Sequence, residues 1–481
     1  MKLIAYYLPQ FHEIEENNRA WGKGFTEWDN VRKAKPLFEG HDQPREPLDD
    51  NYYNLLDIST LKWQAGLAKR YGVYGFCFYH YWFRDGRHVL EKPSEILLEH
   101  TEIELPFCFS WANEPWTKTW HGAAGEKEVL LEQRYGTEMR WIEHFEYLLP
   151  FFRDTRYIKI DNKPVLLIYQ IHSIGCFERM MDCWEKLAVG HGFAGMYIVD
   201  MLTENGKVYR GKRTAANVEC EPSKILGRLK RVHEGLAVYD YDEACKKMLS
   251  VPHQKNEYRS VFAGYDDSPR RGDHGTVFGG QTSEKFGIYL QKAIRLSERE
   301  GNEIVFINAW NEWGESNYLE PDKKNGYGYL EAVKKALEGG YPEPELEAAD
   351  EDAVSLSKDK FRMYYELCIR WIKIQNDGFS LENFFRESGY GKIAVYGMGE
   401  LGNRLVEALE GTGVEVLYGI DRNLWQAYAE IDIKGFDEEE WFGGVDCIVV
   451  TSVHVYEKVA EALREKADCD IVSLEDVLYG I

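Results

Sequence analysis

The chain has 481 residues and a formal net charge of −23 at pH 7. A single hydrophobic core rarely grows that large, so at least two domains are expected, and so acidic a surface repels phosphate backbones, which excludes nucleic acid as a partner. Hydrophobic residues make up 44% and aromatic ones 14%, a composition neither disordered nor fibrous. No stretch reaches the roughly 18 apolar residues of a membrane span. Residues 1–7 are too short an apolar run for a signal peptide. The nine cysteines are scattered without a CxxC pair, as expected of reduced thiols, so a cytoplasmic location is expected.

In chain order, short apolar runs bounded by Gly, Pro or polar residues predict strands at 2–7, 74–79, 106–111, 164–169, 196–200, 215–219, 260–263 and 304–309. Helical patterns fall between many of them, at 58–70, 138–152 and 283–300. Such alternation implies a parallel sheet, and eight strands imply a closed (β/α)8 TIM barrel over residues 1–341. Polar and aromatic residues gather just after most runs, and the C-terminal strand ends of such a barrel form the rim that carries active sites. Residues 342–390 read as an acidic, proline-containing linker followed by a helical segment. Residues 391–481 predict a small Rossmann-like α/β domain.

The sharpest motif runs from Asn308 to Pro321 and follows an apolar strand directly. Glu312 and Glu315 lie three apart beside Trp310, Asn311 and Trp313. If the chain turns helically there, both carboxylates fall on one side. Glycosyl chemistry needs such a pair, one assisting the leaving oxygen and the other acting as base or nucleophile. Proximity also pushes their pKa values apart, leaving one protonated near neutrality. A solvated helix start is the alternative for a bare ExxE; the tryptophans and the strand-end position favour catalysis.

Three further clusters offer sugar contacts. After the first strand come Tyr7, Gln10 and His12, then Glu27 and Trp28; a packed aromatic loop explains these equally well. After the second come Tyr79, His80, Tyr81 and Trp82, and after the third Trp111, Asn113 and Glu114. Glu114 follows an Asn at a strand end and is a rival catalytic candidate, assigned here to substrate binding, as is Glu219 after the sixth strand. No metal site is expected: His80, His88 and His121 lack a ligand spacing such as HExxH. Asp240-Tyr241-Asp242 is a DxD, but it precedes a helical pattern and reads as an N-cap. In the tail, Gly397, Gly399 and Gly402 form a GxGxxG in a strand-turn-helix setting, with Asp421 close to 20 positions on. Its amides could hold a pyrophosphate and Asp421 a ribose, making a nucleotide or nucleotide-sugar the one cofactor expected, while a ligand-free scaffold explains the unit as well.

The motifs AYYLPQFH at 5–12, WGKGFTEW at 21–28, FYHYWF at 78–83, WANEPW at 111–116 and WNEWGESNYLEPD at 310–322 carry a resemblance. Residues 1 to about 340 resemble the WbsX-like glycosyltransferases of surface-polysaccharide gene clusters, related to glycoside hydrolase family 99. The resemblance implies a (β/α)8 barrel. In the related hydrolases, which cleave α-mannosidic bonds with retention, the paired glutamates sit in a W-N-E-W-H-E-G motif. The first deprotonates the sugar 2-hydroxyl, so that O2 attacks C1 and forms a 1,2-anhydro sugar; the second serves as acid, then base. Glu312 and Glu315 match these positions, while Gly314 and Ser316 depart from the His and Gly of that motif. The resemblance implies a glycosyltransferase or transglycosylase of O-antigen or capsule-type polysaccharide synthesis, acting on an oligosaccharide with a nucleotide-sugar or lipid-linked donor. An endo-acting, α-mannosidase-like retaining hydrolase and a non-catalytic sugar-binding scaffold are the alternatives.

Overall fold

The computed structural model describes all residues except 118–128, 203–208, 210, 230–235, 345–350, 423–430 and 481, with backbone alone for 351–362. The chain divides into two units, Met1–Ala349 and Asp350–Ile481. Most of the acidic stretch expected as a linker lies outside the described residues.

In the first unit eight parallel strands close on themselves. They are β1 (Lys2–Tyr7), β2 (Gly75–Trp82), β3 (Phe107–Trp111), β4 (Lys163–Ile168), β5 (Tyr197–Leu202), β6 (Ala216–Glu219), β7 (Glu257–Phe262) and β8 (Ile304–Asn308). Each pairs with its sequence neighbour, and β1 pairs with both β2 and β8, which is the closed (β/α)8 barrel. The strands are almost continuously buried because the barrel interior covers one face and helices cover the other.

Side chains therefore sort by a period of two. Tyr6 points inward, stacked at 5.9 Å on Tyr79 and 5.4 Å on Phe306. Tyr7, one residue on, faces the helical layer, where its hydroxyl donates to Gln64 at 2.7 Å. Gln64 lies on the helix Ile58–Tyr71, which starts where Asp57 accepts the Ser59 amide and ends at Gly72 with φ +86°. There glycine alone is unstrained. Leu61, Ala65 and Ala68 recur at helical spacing on its buried face; each large apolar side chain so buried contributes about 1.5–3 kcal/mol. The Asp240-Tyr241-Asp242 triplet is a cap: Asp240 accepts the Glu243 amide at the start of Tyr241–Ser250, and Asp242 is paired with Lys285.

The second unit holds a five-stranded parallel sheet. In chain order its strands are β9 (Lys392–Tyr396), β10 (Glu415–Asp421), β11 (Ile433–Gly435), β12 (Cys447–Val450) and β13 (Asp470–Ser473). Spatially they run β11-β10-β9-β12-β13, so the order reverses at β9, the switch point of a doubly wound sheet. Alternate residues feed two cores. Ile393, Val395, Cys447 and Val449 pack with Leu405, Leu409, Trp371 and Phe385. Ala394, Tyr396, Ile448 and Val450 pack with Leu463, Phe442 and Phe436 on the other face.

Candidate active site

A cavity of about 350 Å³ opens at the C-terminal ends of the barrel strands. Leu8 lies on it from β1, Tyr79 and Tyr81 from β2, Ala112 and Glu114 from β3, and Tyr169 from β4. Cys220 and Ser223 follow β6; Tyr265, Asp267, Arg270 and Arg271 follow β7; Asn308, Glu312 and Glu315 belong to β8 and its loop. Both glutamates of the sharpest motif therefore face one cavity with Glu114.

The local backbone is not the expected helical turn. Asn311 and Glu312 pair with Asn317 and Tyr318 in a small antiparallel ribbon, and Trp313–Glu315 forms a single 3-10 turn closed by Ser316 in the left-handed conformation. The two carboxylates meet because both bond one guanidinium. Arg270 donates from Nη2 to Glu312 at 2.9 Å, from Nη1 to Glu315 at 2.5 Å and from Nε to Glu27 at 2.7 Å. Arg270 stands on the short turn Ser268–Arg271. Asp266 fixes that turn by accepting the Ser268 amide at 3.0 Å and the Gln43 amide nitrogen at 2.6 Å, with His41 at 2.8 Å. Burial, with Glu315 beside it, pushes the Glu312 carboxyl up to about 8 against the pull of Arg270. Burial also pushes Asp267 up to about 6, and it raises the Tyr79, Tyr81 and Tyr265 hydroxyls above the ordinary phenol value, so these remain neutral donors. Asn308 donates to the Glu221 carbonyl at 2.9 Å, while its Oδ1 is buried without a partner among the described residues.

Beneath the cleft, Glu320 ties the motif to itself. Its carboxylate accepts from the indoles of Trp310 (2.9 Å) and Trp313 (2.7 Å), the Tyr53 hydroxyl (2.8 Å) and Gln64 (2.7 Å). Burial pushes this carboxyl up to about 7 although all four donors pull it down.

Several residues expected to bind substrate lie away from the cavity. Trp310 is fully buried on Glu320. Asn311 is a staple: its amide exchanges bonds of 2.8 and 3.0 Å with the Leu8 backbone. Tyr7 faces the helices. Trp28 packs on Phe11 and Trp313 and donates to the Tyr53 carbonyl. Gln10 is buried, its carbonyl accepting the Glu27 amide. His12 is buried with both ring nitrogens unpartnered among the described residues, and burial pushes it down to about 4, so it is neutral. His80, held down at about 3 by burial, lies 2.8 Å from His144 behind the barrel wall. Trp82 stacks on His144, and with Trp111 it lines a separate cavity of about 210 Å³ beside the helix Glu138–Arg153. Asn113 bonds Tyr135 and the Gln170 backbone, and Glu219 lies 3.1 Å from His253, whereas Glu114 does line the cavity and accepts from Gln170. Glu27 meets the site through Arg270, outside the cavity lining. Strand-end position alone does not tell the cavity face from the helix face, since one residue's shift exchanges them. Arg270 was not expected from sequence, where Ser268-Pro269-Arg270-Arg271 matches no site motif.

Among the described residues, His88, Glu91 and Glu95 approach as a metal site would require, but they lie outside this cavity; His121 lies outside the described residues. In the second unit, Gly397 has φ +90°, and a Cβ at Gly402 would sit 2.3 Å from the Gly397 carbonyl, so the turn needs both glycines. Gly399 has open space around it and caps Glu400–Leu409. Asp421 accepts the Met398 amide at 2.7 Å, so it bonds the turn itself.

Comparisons place this architecture. Two proteins of Xanthomonas campestris pv. campestris, both described as uncharacterized protein WxcX (strains B100 and ATCC 33913), are 34% identical over 348 residues, covering 70% of this chain and 49% of theirs. The chain thus spans about half the length of the curated relatives it matches. Among solved structures, the GH99 endo-alpha-mannosidase of Bacteroides thetaiotaomicron matches over 70% of this chain and 97% of its own, with 13% identity and a TM-score of 0.47. A glycoside hydrolase-like protein matches with 12% identity and a TM-score of 0.45, over 70% of this chain and 93% of its own. Residues 3–333 match the family described as Glycosyltransferase WbsX. The chain belongs to the WbsX glycosyltransferase family.

Proposed function

We propose that the barrel transfers a glycosyl group, with retention, from an oligosaccharide to a sugar hydroxyl, using Glu312 and Glu315. The observation that carries this is the pair of carboxylates bonded to one guanidinium on the wall of a strand-end cavity. Two carboxylates bonded to one guanidinium are near neighbours, and retaining chemistry needs its two carboxyl groups close together. Burial, with Glu315 beside it, lifts Glu312 to about 8, so a proton is at hand beside the second carboxylate near neutrality.

Roles follow from burial and from the family resemblance. Glu312 is the deeper, with 7% of its side chain exposed against 21% for Glu315. The reactive form carries the pair's proton on Glu315; Glu312, whose hold on a proton burial strengthens, is then ionised and takes the proton of the weakly acidic sugar 2-hydroxyl. Oxygen O2 then attacks C1 as the glycosidic bond breaks, and the leaving oxygen takes the proton of Glu315. In the second half, Glu315 takes the acceptor hydroxyl's proton, the acceptor oxygen attacks C1, and O2 recovers its proton from Glu312. Asn308, Tyr79 and Tyr81 supply hydrogen bonds to sugar hydroxyls.

Glu114, Asp267, Glu312 and Glu315 share the wall with Arg270 and Arg271, both already paired with carboxylates. Such a wall disfavours a phosphate at the reacting bond, so the donor is a glycan, free or lipid-linked, rather than a nucleotide sugar. The family description, Glycosyltransferase WbsX, supports sugar transfer; the resemblance to enzymes of surface-polysaccharide gene clusters suggests that the product is cell-surface polysaccharide of O-antigen or capsule type, built at the cytoplasmic side.

The test offers wild type, Glu312→Gln and Glu315→Gln an α-mannoside, other surface oligosaccharides and nucleotide sugars, with products followed by mass spectrometry. Glutamate-dependent growth of an acceptor is expected. Release of reducing sugar alone makes the protein a hydrolase. Unchanged activity in both variants removes the pair from the mechanism and moves attention to Glu114. Glycosyl fluorides, whose leaving group needs no acid, should rescue the first step in Glu315→Gln but not in Glu312→Gln.

A further inference from the structure

Arg270 is the residue through which the motif around Glu27 meets the motif around Glu312. Its guanidinium has 7% of its side-chain surface exposed and bonds three carboxylates, each through a different nitrogen. Two facts show that the arrangement is built. Glu27 is buried, and its Oε1 accepts from Arg270 Nε. Gly314, between the two catalytic candidates, has no room for a side chain: a Cβ there would lie 1.8 Å from Glu27 Oε1 and 2.8 Å from Arg270 Nε. The loop backbone is therefore moulded around the Glu27–Arg270 pair.

We propose that Arg270, anchored by Glu27, is the positioning residue of the glycosyl transfer: its rigid plane fixes the separation of Glu312 and Glu315 and serves as their common counter-ion. The inference rests on the proposed use of that pair. The planar fork matters because adjacent nitrogens lock two acceptors in one geometry, which an ammonium cannot do. A misplacement of about 1 Å in a reacting group costs about 10²-fold in rate. As counter-ion, Arg270 opposes the mutual repulsion of the glutamates, so without it the pair holds its proton to higher pH. The other acids on the wall are Glu114 and Asp267, the latter paired with Arg271. The phenols of Tyr79, Tyr81, Tyr169 and Tyr265 and the Cys220 thiol complete the ionisable groups there.

The experiment uses the full chain with Arg270→Gln and Arg270→Lys. Protonated carboxyl bands are titrated by infrared difference spectroscopy and assigned with Glu312→Gln and Glu315→Gln. Arg270→Gln should move the Glu312/Glu315 titration up by about 1 unit or more. Arg270→Lys keeps the charge, so its titration should stay near wild type while kcat falls about 10²-fold at nearly constant KM. An unmoved titration in Arg270→Gln, or full kcat in Arg270→Lys, overturns the proposal. If Arg270→Gln does not fold, the kcat and KM of Arg270→Lys decide alone. A moved titration in a protein that transfers no sugar refutes the glycosyl reading and leaves the counter-ion role standing.

Discussion

The barrel cleft and the glycine turn of the second unit sit at equivalent places, the C-terminal ends of parallel strands, and they treat their polar groups differently. In the cleft, three carboxylates compete for Arg270, one carboxyl is pushed up to about 8 and Asn308 Oδ1 is unpartnered among the described residues. At the turn, Asp421 is committed to the Met398 amide, and Thr451 donates to the Gly397 carbonyl at 2.6 Å. Buried polar groups with shifted acidity and incomplete partners mark a candidate functional site; the turn's bonds serve the fold first. The lesson is that a strand-end motif shows function by what its groups leave unsettled.

Four measurements would break or sharpen that contrast. The largest effect belongs to the catalytic pair: Glu312→Gln and Glu315→Gln should each cost about 10²–10⁴-fold in transfer rate, read by mass spectrometry. Next is Glu320→Ala, which leaves two indoles, a phenol and an amide without their acceptor. At about 1–3 kcal/mol per stranded buried donor, it should lose at least about 3 kcal/mol in urea unfolding.

The third concerns pH. Glu312 binds its proton more tightly folded than unfolded, because its folded value is raised from 4.5 to about 8. The folded state then holds more protons, and this group's contribution to stability falls as pH rises from 4.5 to about 8. Glu312→Gln removes that slope. Its melting temperature relative to wild type should rise with pH through that window and level off above it; a difference independent of pH would refute the raised value. The smallest effect is Asp421→Asn, which should cost about 1 kcal/mol and leave the barrel's transfer rate unchanged. Saturable nucleotide binding to the full chain, lost in that variant, would show that the turn also opens to a ligand.

The barrel was largely legible in the sequence. All eight predicted strands are present, with edges displaced by a few residues, because short apolar runs between Gly, Pro and polar residues have few other uses. The strand-turn-helix around Gly397 was legible because φ +90° and a 2.3 Å approach require glycine there. Of the site, Glu312, Glu315, Glu114, Tyr79 and Tyr81 face the cavity as expected. Tyr7, Trp310 and Asn311 do not, since an aromatic or amide beside a catalytic residue is equally at home in the layer that supports it. The 3-10 turn at Trp313–Glu315 was hidden for a similar reason: its shape is imposed by Glu320, Asn311 and the Glu27–Arg270 pair, partners distant in sequence. Arg270 escaped because its meaning lies wholly in what it touches.

Glu320 has a consequence for descent. It joins Trp310, Trp313, Tyr53 and Gln64 in one buried knot. Replacing Glu320 strands four buried donors at once, whereas losing any one donor leaves the carboxylate three others, so the acid is the member this knot cannot exchange. The cleft side chains Tyr79, Glu114 and Tyr169 hang from separate strand ends outside that knot. Side chains lining the cleft can thereby be exchanged without unsettling the loop that carries Glu312 and Glu315.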